Sequence, residues 1–264
     1  MTKFRLLALA LASISLVSTG NATNFADAVI SYNSGAGFAS GFTTASVTLG
    51  SPTATANPFS PAFRNTQLVS MGAGGSLTLQ FNTPIQNDSS HPFGLDFTIF
   101  GNAGFVVTNG NFSGGGITDG SLLGNNTGQT RISVSRDNIT YYQLNPSFAP
   151  IADSLFPTDG IGDFSLPINP ALHQADFAGQ GLTGIRSLYN GSAGGSSFDI
   201  SWAQDDLGQY ISLADISYIR IDVLSGKSEI DAISVVPEPS TWAITAIGAV
   251  ILIYRSRRDR SLIS

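Results

Sequence analysis

The chain has 264 residues, 42% hydrophobic and 11% charged, with 29 Gly, 12 Pro and no Cys. That length can bury a sizeable core, and 17 Phe set the chain apart from disordered sequences, which lack the apolar content to fold. The absence of Cys excludes disulfides, thiolate metal sites, iron–sulfur clusters and Cys nucleophiles, and a net charge of −6 argues against nucleic acid as a partner.

Residues 1–22 open with Lys3 and Arg5, continue through an apolar run from Leu6 to Val17 broken by Ser13 and Ser15, and end in the small residues Gly20 and Ala22. Basic start, apolar middle and small-residue site are the three parts of a secretory signal peptide, with cleavage expected after Ala22. The run is too short to span a bilayer, and no capping residue precedes it as a buried helix would require.

Residues 23–235 carry six basic and sixteen acidic side chains, a net charge of −10. Fifteen of those acids are Asp, which with Gly and Asn is turn chemistry, whereas Glu would favour helix. Strict alternation marks Ser76–Phe81, Gly94–Phe100, Arg131–Ser135 and Tyr218–Val223 as strands, and Glu229–Val236 continues the pattern. Leu77, Leu79, Phe81, Leu95, Phe97, Ile99, Ile132, Val134, Ile219, Ile221 and Val223 are the expected core. Arg136-Asp137-Asn138 reads as a hairpin turn, and Ser225-Gly226-Lys227 as a second one. Residues 145–195 hold five prolines and many Gly and Asp, which predicts long ordered loops with one helical turn around Pro170–Gln174. The fold expected is all-β, an antiparallel β-sandwich of jelly-roll type, followed by a single C-terminal hydrophobic helix.

Catalytic chemistry has little support. The two histidines, His91 and His173, lie far apart in loops, no Gly-x-Ser-x-Gly occurs, and a two-His zinc site would need those distant residues to meet. Gly35–Gly41 has one residue too many for a dinucleotide fingerprint, and Gly226-Lys227-Ser228 follows Ile221 where a P-loop needs Gly. No catalytic residue is assigned. Calcium is the most credible ligand. Asp159 and Asp163 share a glycine-rich loop, Asp205-Asp206, Glu229 and Asp231 offer further oxygens, and Asp199 can cap or coordinate. The same acids also serve as ordinary turn formers. A hydrolase using Asp159 and Asp163 as paired carboxylates is the enzyme alternative. Trp202 offers a ring to stack on sugars, or a core residue of an alternating strand.

Residues 236–264 contain Pro237, Glu238 and Pro239, then an uncharged stretch from Trp242 to Tyr254, then Arg255, Arg257, Arg258 and Arg260. As a helix the stretch covers about 20 Å, short of a hydrocarbon core of about 30 Å, and snorkelling arginines narrow the gap. Arginines directly after it resist translocation, so the body is expected outside and the tail inside. The prolines keep the tripeptide extended.

This three-part pattern resembles the PEP-CTERM sorting signal of exported bacterial proteins. The resemblance implies recognition and cutting near Pro237-Glu238-Pro239 by a membrane transpeptidase-like enzyme, the exosortase. The protein is then released or attached at the cell surface or in the extracellular matrix, often in bacteria that make exopolysaccharide. The body is also similar to a recurring ectodomain of such proteins, in Ala28–Ser34, Asp96–Asn102, Ser133–Tyr142, Asp159–Phe164, Ala175–Gly179, Gly191–Trp202 and Ile219–Val235. The segment 131–144 is similar to hairpins of discoidin-like sandwiches, which often bind carbohydrate. The expectation is a non-enzymatic surface protein made of a signal peptide (1–22), an ectodomain (23–235) and a sorting signal (236–264). A carbohydrate-binding module acting on exopolysaccharide is the alternative.

Overall fold

The computed structural model describes residues 24–123, 128–153 and 155–238. The expected signal peptide, Pro239, the stretch Trp242–Tyr254 and the four arginines after it lie outside the described residues. Among the described residues, no helix is long and apolar enough to cross a membrane.

The chain is mostly β. Its strands are β1 (Ala28–Asn33), β2 (Val69–Gly72), β3 (Ser76–Gln86), β4 (Phe97–Gly101), β5 (Gly104–Phe105) and β6 (Leu122–Leu123) in the first half. They continue as β7 (Gln129–Ser135), β8 (Tyr142–Leu144), β9 (Ser196–Phe198), β10 (Ala203–Gln204), β11 (Asp215–Ser225) and β12 (Lys227–Val235). A six-stranded sheet runs β1-β3-β11-β7-β8-β10 and a four-stranded sheet runs β2-β12-β4-β9, while β5 and β6 form a separate pair. Every strand pairing is antiparallel.

The two larger sheets share one hydrophobic core, and all eleven residues expected there from alternation are buried. Each such side chain contributes about 1.5–3 kcal/mol by leaving water. The six-stranded sheet keeps a polar outer face. The four-stranded sheet does not, because β2, β4 and β9 are buried at every residue. Its second face is covered by the loops. Asp153 accepts the Glu229 N–H at 2.7 Å, Asp231 accepts the Thr53 N–H at 2.8 Å, and Phe164 meets Phe100 edge to face. A Cβ on Gly101 would stand 2.4 Å from Asp153 Cβ, so only glycine lets this layer approach β4 so closely.

The turn at 136–138 forms as expected. Asn138 takes φ 60°, and Asp137 Oδ1 accepts the N–H groups of Ile139 and Thr140, each at 2.9 Å. The second expected hairpin does not form. β11 pairs with β3 and β7, β12 pairs with β2 and β4, and the chain passes from one sheet to the other at Gly226, φ 69°. Both strands contribute apolar side chains to the same core, and they belong to different sheets rather than pairing side by side.

Residues 145–195 contain more helix than expected. A 3-10 turn spans Gln174–Phe177, and α1 spans Leu182–Tyr189, ending at Asn190 in the left-handed region. Ile185 and Tyr189, one turn apart, join Phe105, Phe156, Ile168 and Phe177 in a second apolar cluster. The Tyr189 hydroxyl donates to the Pro157 carbonyl at 2.6 Å, and burial pushes its pKa far above the ordinary value.

Candidate functional site

The polar outer face of the six-stranded sheet carries a groove of about 240 Å³ lined by Arg131, Ser133, Tyr141, Gln143, Asp206, Arg220 and Asp222. Register builds it. Ser31 pairs Thr78, Thr78 pairs Arg220, Arg220 pairs Ser133, Ser133 pairs Gln143, and Gln143 pairs Gln204. One polar residue from each of the six strands therefore forms a continuous row across the sheet. It exists because the alternate residues, Leu79, Ile219 and Val134 among them, face the core.

Asp222, with its side chain 11% exposed, holds two guanidinium groups. Arg131 Nη2 donates to Asp222 Oδ2 at 3.1 Å, and Arg220 Nε donates to Asp222 Oδ1 at 2.9 Å. Both arginines keep more than two fifths of their side chains in solvent, so their remaining N–H groups face outward from fixed positions. Tyr141 stands at the rim, its hydroxyl donating to Asn138 Oδ1 at 2.6 Å. Partial burial raises the Tyr141 pKa. Fixed donors, an amide, a hydroxyl and an aromatic ring suit a ligand rich in hydroxyl groups.

Of the acids proposed from sequence for calcium, Asp159, Asp163, Asp199, Asp205, Glu229 and Asp231 are engaged within the protein, while Asp206 lines the polar groove. Arg186 donates to both oxygens of buried Asp159, at 2.7 and 3.0 Å, and this pairing raises the Arg186 pKa. Asp163 accepts the Ser165 N–H at 2.8 Å, and Asp199 caps a 3-10 turn by accepting the Ser201 N–H at 2.7 Å. Glu229 meets Lys227 at 2.9 Å and also accepts from Asn102. Asp231 is buried, its pKa pushed up to about 6 by desolvation. Asp159 and Asp163 thus hold turns and an ion pair. Trp202 is half-buried on the main core beside Phe148, and it lines an apolar pocket of about 120 Å³ away from the polar groove.

The beginning of the tripeptide lies where the body ends. Val236 donates its N–H to the Asp96 carbonyl at 2.9 Å, and Pro237 and Glu238 are exposed beyond it. Glu238 lies over the loop between β3 and β4, with Oε1 3.7 Å from His91 Nε2. His91 and its buried neighbour Asp96 were not singled out from the sequence as site residues. The only local signal is Asp88-Ser89-Ser90-His91, a turn-forming run that keeps its two ends together.

No family model matches the chain, and no curated protein matches it. Among solved structures, it is similar to a pectin-binding carbohydrate-binding module, at 10% identity and a TM-score of 0.24, covering 66% of this chain and 73% of that one. A likeness of that size leaves both fold family and ligand to be argued from the residues above.

Proposed function

We propose that this chain is an exported, non-enzymatic surface protein whose body is a two-sheet β-sandwich carried between two targeting segments. The observation that carries the reading is the closure of the body. Phe25 bridges Ser234, and Val235 donates to the Asn24 carbonyl at 2.8 Å, so the residues just after the expected cleavage at Ala22 are paired with those just before the tripeptide. Pro237 and Glu238 then stand in solvent, as a processing site requires. On this reading the stretch Trp242–Tyr254 halts in the membrane, the arginines stay inside, and an exosortase-type enzyme acts at Pro237-Glu238-Pro239 before the protein reaches the cell surface or extracellular matrix. A reporter fused after Ser264 is expected to be active only on the cytoplasmic side; a periplasmic signal contradicts the topology.

The groove favours a second element, that the body binds polysaccharide. Its two arginine forks are braced by Asp222 and reach solvent, Tyr141 and Gln143 are partly exposed beside them, and Ser133 is buried at the floor of the groove. Arg220→Ala is expected to weaken retention on exopolysaccharide at least tenfold, and Tyr141→Ala to weaken it several-fold. Equal retention by both variants and the unaltered protein contradicts it.

A further inference from the structure

We propose that Asp88, His91 and Glu238 form a binding site for a divalent transition metal ion, with zinc the best fit. One ligand atom from each of the three lies within 4.8 Å of the others. The histidine is prepared for this role. Its side chain is 1% exposed, and Nδ1 sits 2.9 Å from Oδ1 of Asp96, which is fully buried. The Asp96 carboxylate is itself fixed, accepting the Asp88 N–H at 3.1 Å and the Ile200 N–H at 2.8 Å. An acceptor so placed accepts a hydrogen bond from Nδ1–H and leaves the Nε2 lone pair free, as carboxylates do behind metal-bound imidazoles.

Nε2 is buried and, among the described residues, has no hydrogen-bond partner. A buried polar atom left this way is costly unless something binds it. It faces the Glu238 carboxylate at 3.7 Å, too long for a hydrogen bond. That spacing is close to the edge of a tetrahedron with bonds of about 2.1 Å, roughly 3.4 Å. Asp88 reaches the same point because its turn is locked. Asp88 Oδ1 accepts the Ser90 N–H at 2.8 Å, and the His91 N–H returns to the Asp88 carbonyl at 3.0 Å. Glu238 is half exposed, which leaves an entry path and room for water to complete the shell.

One imidazole with two carboxylates suits zinc and its neighbours in the first transition row, whereas calcium takes six to eight oxygens. The bound ion would tie the β3–β4 loop to the first residues after β12. The site stands whether or not the tripeptide is a sorting signal.

The test is calorimetric zinc titration of the full-length protein, with melting curves. One zinc per chain at micromolar or tighter Kd and a raised Tm are expected. Asp88→Asn and Glu238→Gln should each weaken binding at least tenfold, while His173→Ala leaves it unchanged. Millimolar calcium should not shift the melt. No zinc uptake, or uptake undiminished in both carboxylate variants, overturns the site.

Discussion

The backbone of Asn24 is bonded to that of Val235, so the segment before β1 runs beside the end of β12. A chain that enters and exits at one edge can be held between two flanking segments without distorting its sheets. Ala26, buried in the main core, anchors the entering strand.

Starting the mature chain at Ala28 instead of Thr23 removes the Val235–Asn24 bond, the Phe25–Ser234 bridge and the Ala26 contact. The expected loss is about 2–3 kcal/mol, or roughly 5–10 °C in Tm. Differential scanning calorimetry of the two forms measures it, and an unchanged Tm would mean that this segment does not clasp β12.

The ion pair between Asp159 and Arg186 holds α1 to the loop layer. Arg186→Ala leaves a buried carboxylate unpaired and is expected to cost about 2–4 kcal/mol, discounted because Arg186 is one-third exposed. Adding Asp159→Asn removes the stranded charge and should restore part of the loss. A double variant no more stable than Arg186→Ala argues against the charge as the cause.

Asp231 gives a pH dependence of definite sign. Its pKa, about 6 in the folded protein, exceeds the ordinary carboxylate value because burial penalises the charged form. The native state therefore holds the proton more tightly than the unfolded chain. This contribution is complete below about pH 4 and is lost as pH rises through about 6. Asp231→Asn should raise stability at pH 7.5 by about 2 kcal/mol while matching the unaltered protein near pH 3.5. Urea melts at the two pH values decide it; an equal change at both attributes the effect to packing instead.

Phe177 is the hub of the second cluster, its ring 4.9 Å from Phe105 and 5.8 Å from both Phe156 and Tyr189. Phe177→Ala is expected to cost about 3–5 kcal/mol. Hydrogen exchange should report the loosening in 156–190 before it reaches β3 or β11. Uniform loosening would mean that the loop layer and the sheets are one cooperative unit.

Alternation revealed the strands well, because side chains of period two must divide between core and outside, as Leu77, Leu79 and Phe81 do. It revealed which face a strand buries but not which sheet it joins, so β11 and β12 read as partners when they belong to different sheets. The double burial of β4 was hidden for a related reason, since the layer covering its second face comes from Asp153 and Phe164, far away in the chain. Helix α1, Leu-Thr-Gly-Ile-Arg-Ser-Leu-Tyr, has weak intrinsic propensity and is held by packing of Ile185 and Tyr189. The groove depends on register, and the Asp88–His91–Glu238 group on the return of the chain after β12. Neither is encoded by local spacing, whereas the turn chemistry of Asp137 and Asn138 is.

The account is tested most directly by the intact mass of the protein recovered from the surface or surroundings of its native cell. It predicts a chain starting at Thr23 and ending near Pro237-Glu238-Pro239. Recovery of residues 1–264 uncut, soluble in the cytosol, would contradict it.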